Sequence, residues 1–212
     1  MTEEPREAEP LYRAEASDLL FGYLLAIAVS IGLTPLLPDQ AALRYTLAYA
    51  ILMGFGALAW VLGKPPTVDE APRQLLRGFL VGLVIGLPFY FIGGSGLRAT
   101  VERLFPALPP GAVLAYALFI ITPAETLFFR ARAQRYLAWF LVPILSTVWC
   151  LILFLPLLEP LRYPYPTTVI AVAIVTMNVL FSDLCRRSGL VAAFVSQSVA
   201  YSFLLFFPTL SA

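Results

Sequence analysis

The sequence predicts an all-α polytopic transmembrane bundle of about seven spans, with its N-terminus in the cytoplasm. Three observations carry this. The 212 residues are 60% hydrophobic and only 13% charged, about half the charged share of a soluble domain. Seven stretches hold no charge at all: 19–38, 45–63, 78–97, 104–124, 136–158, 163–182 and 188–212. Each is 19 to 25 residues long, and a bilayer-spanning helix needs about 20. The basic residues between them are lopsided. Arg6, Arg13, Lys64, Arg73, Arg77, Arg130, Arg132, Arg135, Arg186 and Arg187 fall on one side, against Arg44, Arg98, Arg103 and Arg162 on the other. Ten against four places the N-terminus inside and the C-terminus outside. A β-barrel would instead alternate polar and apolar residues over segments of about 10.

Residues 1–18 are charged and polar, with Pro5 and Pro10. They mix acidic with basic groups, and they read as a cytoplasmic tail, not a signal peptide. Residues 19–212 form a single transmembrane domain. The spans are expected at roughly 19–37, 43–62, 75–93, 111–134, 137–157, 167–184 and 189–208. Lys64–Glu70 is a turn-rich connection. Pro106, Pro109, Pro110 and Gly111 break the chain before the fourth span. Pro160, Pro164 and Pro166 break it before the sixth, where Tyr163 and Tyr165 suit an interfacial belt. Gly78, Gly82 and Gly86 put a smooth stripe on the third span, to receive either a neighbouring helix or a second copy in a homodimer. Gly93-Gly94-Ser95-Gly96 fits the Gly-x-Ser-Gly pattern of rhomboid proteases. The chain has no His, so that serine has no base of the required kind; the segment reads as a glycine-rich turn.

Composition excludes several functions. Without His there is no zincin motif, no His-ligated haem and no Ser-His-Asp catalysis. A net charge of +1 with no basic run excludes a nucleic-acid partner. Cys150 and Cys185 form no CxxC, and their placement predicts no structural disulfide. No cofactor or metal is expected. One Lys against thirteen Arg points to a GC-rich genome, and the chain is expected in the cytoplasmic membrane of a prokaryote, among membrane lipid.

Charge inside a span is the informative feature, because it costs about 2.5–3.5 kcal/mol at a helix centre. Glu125 is the one charge that the pattern places clearly within a span. Ser146 and Thr147 on the fifth, Asn178 on the sixth and Gln197 on the seventh fall at a similar depth. Four helices thus offer polar groups around one carboxyl. Such a layer either locks the helices together or forms a cytoplasm-facing site with Glu125 as proton acceptor or ligand anchor. Arg130 lies five residues from Glu125, off its face on an α-helix, and is expected to reach the cytoplasmic interface.

The segment Ala124-Glu125-Thr126-Leu127-Phe128-Phe129-Arg130 resembles the first motif, Glu-Glu-x-x-x-Arg, of the CAAX-protease and bacteriocin-processing (CPBP, or Abi) family of intramembrane glutamic proteases. The similarity spans about residues 112–208. Ser146–Phe154 looks like the second motif, Phe-x-x-x-His, with Cys150 in place of Phe and Phe154 in place of His. Val195–Tyr201 looks like the third, His-x-x-x-Asn, with Gln197 for His and Tyr201 for Asn. The resemblance implies Glu125 as candidate base, with Gln197 and Tyr201 as polar partners. Thr126 replaces the second Glu, and both His are gone. The expectation is a family member without the usual proteolysis, binding a membrane protein or a lipidated peptide. Two alternatives stand: an active CAAX-type endopeptidase using Glu125, and a small transporter or membrane-complex subunit.

Overall fold

The structure, a computed structural model, describes residues 8–36, 40–62, 72–106 and 108–210. Among these, seven helices are long and apolar enough to cross a membrane. They are α1 (Ala8–Leu36), α2 (Ala41–Leu62), α3 (Pro72–Leu104), α4 (Pro110–Tyr136), α5 (Leu141–Leu158), α6 (Pro164–Ser188) and α7 (Leu190–Leu210). No strand occurs among the described residues. The chain is an all-α integral membrane protein.

Two boundaries differ most from expectation. α1 begins at Ala8, inside the stretch read as a tail. Glu, Ala, Arg and Leu predominate there and are good helix formers, and Pro10 falls in the first turn, where its missing N–H costs nothing. Residues 1–7 and the Lys64–Glu70 connection lie outside the described residues. α3 runs to Leu104, so Gly93–Gly96 is helical and not a turn. Glycine costs a helix only about 1 kcal/mol per residue. The Arg98–Glu102 ion pair, one turn apart at 2.9 Å, supports the extension.

α4 is not a uniform α-helix. Wide π-type turns occupy Ala117–Ile121 and Thr126–Ala133, and between them lies a short α segment, Thr122–Glu125. Pro123 explains the first: it has no N–H for the preceding turn, and the backbone widens there. The second ends where the Gln134 N–H donates to the carbonyl of Phe129, five residues back.

The glycine stripe is filled within the chain. A Cβ at Gly78 would strike the Ala192 backbone, one at Gly82 the Ser196 carbonyl and Val199, and one at Gly86 Phe203. α3 therefore lies backbone-close on α7, and the stripe is covered rather than open to a second copy. The core is aromatic at the centre: Tyr49 meets Trp149 edge-on at 5.5 Å, and Phe128 meets Phe129 at 5.1 Å. The outward faces carry Phe21, Leu24, Val84 and Ile92, all exposed, as a lipid-facing surface requires.

Candidate functional site

Glu125 sits at the centre of the bundle with 0% exposure. It closes the short α segment of α4, between the two wide turns. Four donors from three other helices converge on its carboxylate. Tyr49 of α2 donates its hydroxyl to Oε1 at 2.9 Å, and the Cys150 thiol of α5 donates to the same oxygen at 3.5 Å. Gln197 and Tyr201 of α7 donate to Oε2, the Tyr201 hydroxyl at 3.0 Å. Gln197 and Tyr201 are four residues apart and share one helix face. The Gln197 Oε1 in turn accepts from the Thr126 hydroxyl at 3.4 Å, which fixes the amide with its NH₂ toward the carboxylate.

A second knot joins the first. Arg130 is 2% exposed. Its Nη1 donates to the backbone carbonyl of Glu125 at 3.3 Å, and its Nη2 to the Asn178 Oδ1 at 2.7 Å. The Ser146 hydroxyl donates to that same Oδ1 at 2.6 Å. The Asn178 Nδ2 donates to the Ile174 carbonyl at 3.1 Å and lies 3.9 Å from the Cys150 sulfur. One buried carboxylate and one buried guanidinium are thereby bound into a single network, which offsets the cost of each charge at depth.

The expected polar residues thus divide. Gln197, Tyr201 and Thr126 join Glu125 directly or through one bond, while Ser146 and Asn178 join Arg130. Thr147 is buried but contributes no hydrogen bond to the network. Arg130 does not reach the cytoplasmic interface: the wide turn over Thr126–Ala133 brings it back toward Glu125. A third charge is buried as well: Arg44, in the first turn of α2, is 2% exposed and donates to the Leu153 carbonyl at 3.3 Å. Phe154 does not stand beside Glu125. It meets Tyr45 edge-on at 5.3 Å, and the α5 position facing the carboxylate is Cys150, one turn earlier. Tyr49 was missed by sequence reasoning. Its signal was the Tyr45/Tyr49 pair at helical spacing in a charge-free span, where a phenol needs a partner.

A cavity of about 370 Å³ lies beside this centre, between α3, α6 and the ends of α5 and α7. Cys150, Asn178 and Tyr201 form its inner wall; Thr100, Leu104 and Leu158 lie toward the end opposite Arg186 and Arg187. It therefore lies in the half of the bundle away from Arg186 and Arg187, the end that the charge pattern reads as cytoplasmic. Glu125 is one layer behind its wall. Among the described residues no group of three His, Cys, Asp or Glu gathers to hold a metal. No protein-family model, curated protein or solved structure matches the chain.

Proposed function

We propose that the chain is a non-proteolytic binding or accessory protein of the membrane, a divergent relative of the CPBP intramembrane proteases. The observation that carries this reading is the state of Glu125: fully buried, with both oxygens occupied by four donors of the chain itself. Peptide hydrolysis needs a water beside the base and donors where the oxyanion develops. Here the groups that would polarise a carbonyl, Gln197 and Tyr201, are spent on the carboxylate. Losing one oxyanion donor alone costs about 100- to 1,000-fold. The order of Glu125, Gln197 and Tyr201 supports the kinship, since the residues at the motif positions on α4 and α7 bond to one another. In this reading the N-terminus is cytoplasmic, the membrane is that of a prokaryote, and the partner is a membrane protein or a lipidated peptide.

An active endopeptidase is the second reading. It is favoured by one observation: Tyr201 and Cys150 stand between Glu125 and the cavity, so a turn of the Tyr201 ring would open the carboxylate to it. One assay separates the two. Purified protein in liposomes is given prenylated and leader peptides beside a Glu125→Ala variant. No cleavage above the variant is expected. Cleavage that is lost in the variant would establish the enzyme and end the non-proteolytic reading.

A further inference from the structure

We propose that the cavity between α3 and α6 binds one acyl chain of an anionic phospholipid, whose phosphate is held by Arg103. The inference is independent of whether Glu125 is catalytic.

The cavity is open to hydrocarbon. Ile92 of α3 and Val169 of α6 line it, and Ile92 is 82% exposed on the lipid-facing surface. A lipid tail therefore enters without crossing water. The polar groups in the wall are already satisfied from within the chain. Thr100 donates to the Gly96 carbonyl at 2.8 Å, Tyr201 to Glu125, and Asn178 to the Ile174 carbonyl. An apolar occupant leaves none of them unpaired. The volume lies at the lower end of the range of about 300–1,000 Å³ for ligand pockets; it suits one chain and not two. Gly93 and Gly96 are part of its wall on α3.

Charge decides the headgroup. Arg103 is one turn beyond Thr100 and next to Leu104, both of which line the cavity. Its guanidinium lies over the Tyr163 ring at 4.2 Å, bridging α3 to the segment that leads into α6. The neighbouring cations are paired: Arg98 with Glu102 at 2.9 Å, and Arg162 with Glu159 at 3.4 Å. Among the described residues Arg103 has no carboxylate within ion-pair distance. A guanidinium stacked on a ring keeps its edge of N–H donors free, and that edge matches a phosphate. A single lipid thus reaches both places, with its phosphate on Arg103 and one chain running inward toward Tyr201.

The test uses the full chain in phosphatidylcholine vesicles with a tenth of the lipid as probe. The probe is phosphatidylglycerol or phosphatidylcholine with a photoreactive group in one acyl chain, and adducts are located by peptide mass spectrometry. The phosphatidylglycerol probe is expected to label cavity residues such as Phe89, Ile170 and Ile174. Arg103→Gln should lower that labelling about tenfold, the loss of one charge-assisted contact, with labelling at Phe21 and Val84 unchanged. Ala173→Phe should fill the cavity and abolish it. Arg103 is exposed, so Arg103→Gln keeps the test valid if Ala173→Phe fails to fold. Equal cavity labelling by the two probes would overturn the headgroup assignment. Labelling confined to the outward faces would overturn the site.

Discussion

The Arg130 guanidinium turns back along its own helix and lies 3.3 Å from the backbone carbonyl oxygen of Glu125, five residues earlier. On a regular α-helix, residues five apart point about 140° away from each other. The π-type turn over Thr126–Ala133 adds a residue per turn and removes most of that divergence. The irregular helix is thus what puts Glu125 and Arg130 into one network. Wide turns of this kind frequently mark functional sites.

Asn178 is the acceptor on which that network turns, since its Oδ1 takes both Arg130 and Ser146. Asn178→Leu is expected to destabilise the protein by about 1–3 kcal/mol, because it strands a buried guanidinium donor. Ser146→Ala removes one bond from the same oxygen and should cost about 0.6 kcal/mol, the membrane average. Unfolding in mixed micelles measures both. Equal losses would show that Asn178 is not the hub.

The carboxylate of Glu125 faces donors on every side, so its isosteric amide is a sharp probe. Glu125→Gln turns an NH₂ toward Gln197 and Tyr201 and should cost about 1–3 kcal/mol. Adding Gln197→Glu restores an acceptor opposite that NH₂. The double variant is expected to be more stable than Glu125→Gln alone, a coupling that a double-mutant cycle reads directly. Additive losses would mean that the Gln197–Glu125 contact contributes nothing.

Glycine tests the packing of α3 on α7. A Cβ at Gly78 would run into the Ala192 carbonyl and Cα, which are backbone atoms and cannot swing aside, whereas at Gly32 it meets nothing within 4 Å. Gly78→Ala should therefore lower stability by about 1–3 kcal/mol, and Gly32→Ala should leave it unchanged or slightly raised. Thermal melts in detergent compare them. A neutral Gly78→Ala would mean that α3 and α7 are further apart than described.

The seven spans were legible in the sequence because charge-free runs of about 20 residues have one solution in a bilayer. Glu125 and its partner Gln197 were legible for a related reason: a polar group at depth needs another. The positions of Arg130 and Cys150 were not. Arg130 was placed by α-helical spacing, which the π-type turn changes, and a free Cys reads as a small apolar residue until a carboxylate is found beside it. Helix lengths were underestimated at Ala8 and Leu104, where charge set the expected boundary. Those ends run beyond the apolar stretch, where propensity and i,i+4 pairs hold the helix rather than hydropathy.

The expected orientation survives the burial of two of the basic residues. Seven crossings place the two termini on opposite sides. Arg44 and Arg130 are buried, so neither acts as a flanking charge. Removing one from each side leaves nine basic residues against three, so the excess of six that predicts a cytoplasmic N-terminus is unchanged. In a variant with Cys150 and Cys185 replaced by serine, a single cysteine is placed at Thr2 or at Ser211. A membrane-impermeant maleimide added to intact cells is expected to label the cysteine at 211 and to spare the one at 2 until the membrane is opened. The reverse pattern would invert the bundle and place the Arg186–Arg187 end outside. Labelling of both in intact cells would mean an even number of crossings.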